Sequence, residues 1–261
     1  MIVSSNSTDK TDGRPGLYSA LSLLHNWLQD GHYQPEAAPD FEPLPAAEPA
    51  GPETDRSAAA LAGGSSGLRS AAQRLPGNDS LEQVHQEIQR CLKCRLAGSR
   101  NRTVPGQGAA RPLVLVIGEA PDAEDNNSGQ AFSGAAGVLL DRMLAAIQLS
   151  RSSNCYLLHV VKCYPPAGRD PAPDEQTCCA EYLKRQIALL QPQAILALGR
   201  IPAQLLLSTK EGLQKLRGRV YDLDGRPCII SHSIANLLRD ESLKRPAWED
   251  LKLLRQVLPN A

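Results

Sequence analysis

The sequence predicts an α/β protein, a three-layer αβα sandwich with a mostly parallel central sheet. Two observations support this prediction. From residue 80 onward, segments typical of strands alternate with segments typical of helices. The strand segments are short, continuous apolar runs, such as LVLVI at 113–117. Because a strand of this kind is buried on both faces, helices are expected to cover both sides of the sheet.

The predicted elements follow one another without an internal repeat. Ser80 opens the sequence S-L-E-Q, a capping box that satisfies backbone N–H groups at a helix start, so the first helix runs from there through Cys91. A strand, a glycine-punctuated loop and a helix come next. The alternation then continues, with short elements before the last strand. The predicted strands span 112–117, 156–161, 194–198 and 228–230, and the later helices span 137–149, 173–190 and 246–258.

The first 79 residues differ in composition from the rest of the chain. Leucines at positions 17, 21, 24 and 28 predict a short amphipathic helix over residues 16–31. Six prolines between Pro35 and Pro52, followed by Ser/Gly/Ala-rich sequence, predict a disordered linker, because such a stretch buries too little apolar surface to offset its ordering entropy. We expect a mostly disordered arm over 1–79 and a folded domain over 80–261. The helix would dock on a protein partner, on the domain or on nothing.

Charge and hydrophobicity restrict the function only loosely. Residues 1–78 carry 5 Lys/Arg against 9 Asp/Glu, and residues 79–261 carry 23 against 19, so the second part is mildly basic. That charge is compatible with binding to DNA and equally with an ordinary surface. No apolar run is long enough to cross a membrane, and the first residues lack the pattern of a signal peptide. The expected location is the cytoplasm, and the default oligomeric state is a monomer.

The chain contains seven cysteines, which is many for a protein of this size in a reducing compartment. Clustered cysteines there indicate metal or redox chemistry instead of disulfides. Cys91 and Cys94 are two intervening residues apart, Cys163 follows a predicted strand, and Cys178 and Cys179 are adjacent. Two close thiolates and two distant ones can bind a single centre, and either structural zinc or a 4Fe–4S cluster would fit.

Five segments, taken in order, resemble the family 4 (iron–sulfur) uracil-DNA glycosylases. The similarity runs from about Cys91 to the end of the chain. The segments are CLKCRLAGSR, VLVIGEAPDAEDNNSGQAFSGAAGVLLDRML, VVKCYPPAGRDPAPDEQTCC, AILALGRIPAQLLL and SHSIANLLRDESLKRPAWEDLKLL. The resemblance implies the uracil-DNA glycosylase fold and a DNA-repair hydrolase that cleaves the N-glycosidic bond between uracil and deoxyribose in DNA.

The resemblance also implies a ligand set for the metal centre. It favours a 4Fe–4S cluster over zinc and assigns its ligands to Cys91, Cys94, Cys163 and Cys179. Cys178 would then be a neighbour of the centre. Together with Cys155 and Cys228, it is expected to be a small buried apolar residue.

The resemblance further implies which residues bind and cleave the substrate. Phe132 would stack on a base flipped out of the DNA, and the His232 imidazole would donate to a uracil oxygen as negative charge develops there. Glu119, or Asp125 as second choice, would supply a carboxylate that orients water and favours the cationic sugar. The base would also meet Gly118, Ala120 and His159, and the DNA would contact Gly134, Ser233 and Arg239.

Four positions depart from the family pattern, all near the proposed base site. Asp122 replaces a glycine, His159 replaces the asparagine that reads the edge of uracil, and Gly168 replaces a common asparagine. His232 is also not followed by proline. A histidine cannot present the paired donor and acceptor of an amide. Two functions therefore stay open: a glycosylase acting on uracil or another deaminated base, and a catalytically eroded DNA-binding subunit of a replication or repair complex.

Overall fold

The computed structural model of the protein describes residues 79–258. The predicted arm, with its helix at 16–31, lies outside this part of the chain except for Asp79. The strands are β1 (Gln107–Gly108), β2 (Val114–Gly118), β3 (Cys155–His159), β4 (Ala194–Leu198), β5 (Val220–Leu223) and β6 (Arg226–Ser231). The helices are α1 (Leu81–Gln89), α2 (Ala123–Ser128), α3 (Gly134–Ala145), α4 (Pro173–Leu190), α5 (Arg200–Leu207), α6 (Leu213–Leu216), α7 (Ile234–Arg239) and α8 (Lys244–Val257).

The strands form one sheet in the order β1-β3-β2-β4-β6-β5. The four central strands, β3, β2, β4 and β6, are parallel, and the two outer strands are antiparallel to their neighbours. This confirms the predicted α/β fold with a mostly parallel sheet.

Alternate residues of the central strands bury opposite faces of the sheet. In β2, Val114 and Val116 belong to a core that includes α3, α7 and α8, whereas Leu115 and Ile117 belong to a core that includes α4, α5 and α6. The helices therefore cover both faces, as the continuous apolar runs predicted. Within the part of the chain described, no helix is long and apolar enough to span a membrane.

Local signals placed several elements correctly. Ser80 caps α1, and the capping box with Gln83 is formed. Helix α4 and strand β4 have the predicted bounds. Helix α3, however, begins at Gly134 and ends at Ala145, earlier at both ends than predicted.

The segment predicted as a glycine-punctuated loop contains the helix α2, which the sequence analysis missed. Asp122 caps this helix by accepting a 2.8 Å hydrogen bond from the backbone N–H of Asp125, and Gly129 ends it in the left-handed conformation. Asp122 has φ −93°, so its Cβ causes no backbone conflict there. The residue that looked like a departure near the base site is thus a helix cap.

Candidate active site and cysteine cavity

The carboxyl ends of the parallel strands meet at one edge of the sheet. After β2 the chain continues to β3 on one side, whereas β4 lies on the other side of β2. Ligands of open α/β sheets bind at such a switch in strand order. Glu119 follows β2, His159 ends β3, Gly199 follows β4 and His232 follows β6. The fold therefore gathers predicted site residues from separate segments at this edge.

Asp125, on the buried side of α2, accepts hydrogen bonds from several residues at this edge of the sheet. Its Oδ2 lies 2.9 Å from Nε2 of His159, and its Oδ1 accepts from the backbone N–H and the hydroxyl of Ser133 at 2.7 and 2.6 Å. The N–H of Phe132 also donates to Oδ2, at 3.2 Å. Burial alone would raise the pKa of Asp125, but the hydrogen bonds from His159 and Ser133 hold that pKa below its ordinary value. Asp125 is therefore a buried carboxylate with both oxygens engaged.

Phe132 is held in an unusual backbone conformation next to this carboxylate. Its φ of 52° is uncommon for a bulky residue, and such strain is typical of functional sites. Besides the bond to Asp125, the conformation is supported by the Arg151 guanidinium, which donates to the Phe132 carbonyl at 3.1 Å. The ring lies against the imidazole of His159, with the two centroids 4.4 Å apart.

Gly118 allows these two rings to approach the backbone. A Cβ on Gly118 would lie 2.5 Å from Nδ1 of His159 and 2.6 Å from Cζ of Phe132. Either contact is shorter than carbon or nitrogen atoms tolerate, so only glycine fits at the end of β2 while the rings stay in place. Ala120, the other backbone candidate, lies two residues further on and packs against the core beneath α4 and α5.

Glu119 points towards β4 instead of towards Phe132. Its Oε1 accepts a 3.2 Å hydrogen bond from the backbone N–H of Ile201, in the first turn of α5. Gly199 has φ 110° and no room for a side chain, because a Cβ would lie 2.5 Å from Cδ of Glu119. Burial raises the pKa of Glu119. The two candidate carboxylates thus lie on opposite sides of β2 and have opposite pKa shifts.

His232 is buried at the end of β6, and its Nε2 has no hydrogen-bond partner among the described residues. Burial, and then the positive charge of Arg217, lower the pKa of His232. Arg217 is itself bound to Asp250, with Nη2 2.6 Å from Oδ2. The imidazole is therefore neutral at neutral pH, with a single N–H to donate.

The three predicted DNA contacts lie on neighbouring elements, since α3 and α7 pack against each other. Gly134 begins α3 with φ 59°, and the Glu124 carboxylate occupies the space in front of it. The Ser233 hydroxyl caps α7 by accepting from the N–H of Asn236 at 3.3 Å. Arg239 is exposed at the end of α7. The Glu124 carboxylate thus lies beside the start of α3.

A second feature, which we call the cysteine cavity, lies between the end of α1, the turn after β3 and the first half of α4. Five cysteines line it: Cys91, Cys94, Cys163, Cys178 and Cys179. Arg100 spans it, with one nitrogen donating to Sγ of Cys163 at 3.3 Å and the other to the Cys91 carbonyl at 2.7 Å. Burial raises the pKa of Cys163, despite Arg100, and raises that of Cys179 to about 11.

The prediction that Cys178 is a buried apolar residue is wrong. Cys155 and Cys228 are fully buried in the sheet, as expected, but Cys178 is half-exposed and lines the cysteine cavity, where its Sγ lies 3.3 Å from the Lys93 carbonyl. Consecutive helix residues point about 100° apart, so the side chain of Cys178 is turned towards solvent while Cys179 faces the core. Between residues 79 and 258, no three His, Cys, Asp or Glu side chains are arranged to hold a single metal ion.

Sequence reasoning missed three residues that hold these sites together: Ser133, Arg100 and Lys162. Lys162 is buried, lines the cysteine cavity and donates from Nζ to the His159 carbonyl at 2.7 Å. Burial lowers its pKa to about 7. A lysine within the apolar run before Cys163 was the available signal. Nothing local marked Arg100, whose partner Cys163 is distant in sequence, or Ser133, whose partner Asp125 lies on the preceding helix.

Comparison with known proteins identifies relatives over most of the described part. Residues 105–252 match the family model of the uracil DNA glycosylase superfamily. The chain is 34% identical to the type-4 uracil-DNA glycosylase of Sulfurisphaera tokodaii over 187 residues, which are 69% of this chain and 85% of that protein. It is 37% identical to the type-4 uracil-DNA glycosylase of Archaeoglobus fulgidus, over 56% of this chain and 75% of the relative. A DNA polymerase of Bacillus phage SP01 is 26% identical over 57% of this chain and 16% of the polymerase.

Proposed function

We propose that this chain, which belongs to the uracil DNA glycosylase superfamily and within it to the type-4 enzymes, hydrolyses the N-glycosidic bond of uracil or another deaminated base in DNA. The observation that carries the proposal is the buried, unpartnered Nε2 of His232 at the carboxyl edge of the sheet. Buried polar atoms of proteins are nearly always hydrogen-bonded, so an unpaired one at this edge of the sheet favours a missing ligand. The clustered cysteines can bind a metal centre only as reduced thiols, and thiols stay reduced in the cytoplasm, so we propose that the protein acts there.

The target nucleotide must leave the base stack before this edge of the sheet can reach its glycosidic bond. In our proposal the flipped base stacks on Phe132 and lies close to the backbone of Gly118 and Ala120. The strained conformation of Phe132, held by Asp125 and Arg151, supports this role because it fixes the ring before the base arrives.

His232 would stabilise the charge that develops on the departing base. As the glycosidic bond breaks, negative charge accumulates on the uracil oxygens and positive charge on the sugar. A neutral imidazole with its one N–H aimed at an oxygen acts as an oxyanion-hole donor. Removal of one such donor typically lowers kcat by about 10²–10³. The lowered pKa of His232 supports the neutral form in this role.

The two carboxylates would divide the remaining work. Asp125 accepts four hydrogen bonds, so we assign it to positioning Phe132 and His159 instead of activating water. Glu119 is half-buried with a raised pKa and one bond to a helix N-terminus. We propose that Glu119 is the group that orients the attacking water and favours the cationic sugar. Gly134, Ser233 and Arg239 would bind the DNA backbone.

We further propose that Cys91, Cys94, Cys163 and Cys179 hold a 4Fe–4S cluster. The donor set supports it: the cavity is lined by thiols and by the N–H groups of Arg100, which suit a cluster of thiolates. The resemblance of these segments to the iron–sulfur uracil-DNA glycosylases favours a cluster, in which each thiolate binds a different iron, over structural zinc. The cluster would serve to tie α1 to the turn after β3.

A second candidate function is a DNA-binding subunit without catalysis. The observation that favours it is the close packing of His159 against Phe132, which leaves less of the ring available to a base. Similarity to a stretch of a phage DNA polymerase is compatible with a role near replication.

The test is excision of uracil from a single-stranded oligonucleotide by the full chain, followed by alkaline cleavage of the abasic site. Cleavage at the uracil position is expected, together with a loss of about 10²–10³ in rate for His232→Asn. His85→Asn is the matched control, because His85 bonds to the Tyr156 hydroxyl, and Tyr156 packs in the core on the opposite face of the sheet from Phe132. No cleavage at any enzyme excess, with iron bound and with uracil, hypoxanthine and xanthine all tried, would leave the DNA-binding role.

A further inference from the structure

His159 lies in the base site with its hydrogen bonding already arranged. Its Nε2 is 2.9 Å from Oδ2 of Asp125, and both side chains are buried. A carboxylate oxygen only accepts, and the pKa of Asp125 is lowered, so the proton of this bond sits on Nε2. In a neutral imidazole the other nitrogen, Nδ1, is then an acceptor, and it has no partner among the described residues.

The imidazole also takes up space against Phe132. The two ring centroids are 4.4 Å apart and the planes are inclined by 35°, which is van der Waals contact. A third ring between them would need two contact spacings, about 7 Å. On the backbone side, Gly118 leaves no gap, since even a Cβ there would lie 2.5 Å from Nδ1. Phe132 is only 6% exposed.

We propose that His159 is a specificity-determining residue that limits access of a base to Phe132, with Asp125 as the residue that positions it. A base stacks on the face of Phe132 that His159 covers only after the imidazole has left Asp125. The proposal rests on the proposed function, because it names the residue that selects the substrate of that same site.

Two costs oppose entry of the base. The imidazole must give up a buried hydrogen bond to a carboxylate, and bonds of this kind correspond to roughly a tenfold to hundredfold difference in population. Once displaced, a ring with a single free acceptor matches the N3–H of uracil but offers no adjacent donor for O4. A shorter side chain at this position would remove the first cost, and an amide would remove both.

The experiment compares His159→Ala and His159→Asn with the wild-type full chain. His159→Ala opens space alone, whereas His159→Asn opens space and adds an amide donor. We expect both variants to bind free uracil at least about tenfold more tightly by calorimetry, and His159→Asn to excise uracil at least about tenfold faster under single-turnover conditions. His85→Asn, the same replacement outside the site, should stay within about twofold on both measurements.

A second measurement needs no variant. In the wild-type protein labelled with ¹⁵N-histidine, saturating uracil is expected to shift the His159 Nε2 resonance as the ring leaves Asp125; an unchanged resonance at saturation overturns the proposal.

The outcomes separate the proposal from the proposed function. An active wild type whose His159 variants gain neither affinity nor rate, with melting temperatures preserved, overturns the proposal and keeps the glycosylase. Tighter uracil binding by the variants without excision by any protein supports the role of His159 and contradicts the glycosylase. If neither binding nor excision changes and no protein is active, both are wrong.

Discussion

The side-chain nitrogen of Lys162, Nζ, donates a 2.7 Å hydrogen bond to the main-chain carbonyl of His159. Lys162, in the turn after β3, also lines the cysteine cavity. His159, the last residue of β3, contacts the ring of Phe132. One buried lysine therefore touches the wall of the proposed cluster and the backbone of the proposed base site. Because of this contact, a change in the structure of the cysteine cavity is expected to displace His159 and so to affect binding of the base.

Replacement of Lys162 by methionine should disturb both sites. Methionine is of similar length but donates nothing, so the buried His159 carbonyl would lose its partner. We expect the free energy of unfolding to fall by about 1–3 kcal/mol in urea titrations, with a lower rate of uracil excision. Lys184→Met, at an exposed position of α4, is the control and should change stability by less than about 0.5 kcal/mol. Equal stabilities for the two variants would show that the Lys162 bond is not needed.

Serine replacements at the two adjacent cysteines should have different effects. Cys179 is buried and faces Cys163, whereas Cys178 is half-exposed on the rim of the cavity. We expect Cys179→Ser to lose the visible absorption and most of the iron, and Cys178→Ser to keep both, at about four iron atoms per chain. Iron analysis and spectra of anaerobically prepared protein check this. Loss of iron in Cys178→Ser with retention in Cys179→Ser would reverse the ligand assignment.

Glu175 should make stability depend on pH in the acidic range. Its buried carboxylate binds the guanidinium groups of Arg169 and Arg95 at 2.6 and 2.7 Å and the N–H of Ala172. The bond from Arg169, followed by the others, lowers the pKa of Glu175 to about 2. A lowered folded-state pKa means that this stabilisation is complete above about pH 4.5 and is lost as the pH falls towards 2.

We therefore expect the free energy of unfolding of wild type to be higher than that of Glu175→Gln by roughly 1–2 kcal/mol at neutral pH. This difference is smaller than the pKa shift alone would give, because solvent screens the two partly exposed arginines. The difference should shrink towards pH 2 in denaturation curves. Glu181→Gln, on the same helix but exposed and paired with Lys93, should show little change at any pH. A pH-independent difference for Glu175→Gln would contradict the assigned pKa.

His232 should act on the chemical step and not on binding of DNA. Because its N–H is aimed at charge that appears only as the bond breaks, His232→Asn should lower kcat by about 10²–10³ with little change in KM. Steady-state kinetics on a uracil-containing oligonucleotide check this. A rise in KM at constant kcat would assign His232 to ground-state binding.

His232 should also make the stability of the protein depend on pH. Its pKa is lowered, so the unfolded chain binds the proton more readily, and wild type should lose stability relative to His232→Asn as the pH falls below about 6.5. Thermal unfolding of the two proteins between neutral pH and pH 5 measures the effect. If the stabilities of the two proteins changed in parallel with pH, burial would not lower the pKa of His232.

Local sequence signals predicted the elements whose determinants lie within a few residues. The apolar run at 113–117 predicted a strand buried on both faces, and the capping box at Ser80 predicted the start of α1. Helix α2 was missed because its signal, an Asp122 cap closed by Gly129, spans only a short segment that resembles a loop. The cysteine pattern predicted that thiols from three segments would meet, but not that Cys178 would be half-exposed at the cavity.

The sequence by itself determined the α/β fold, the succession of its four central strands and longer helices and the residue types available for chemistry, because periodicity and capping act over one or two turns. Only the tertiary structure decided that Asp125 binds His159, that Glu119 turns to α5 and that Cys178 reaches the cavity rim. These contacts join residues far apart in the chain, such as Glu119 and Ile201. Their geometry depends on the register of parallel strands linked by long crossovers, which no local pattern encodes.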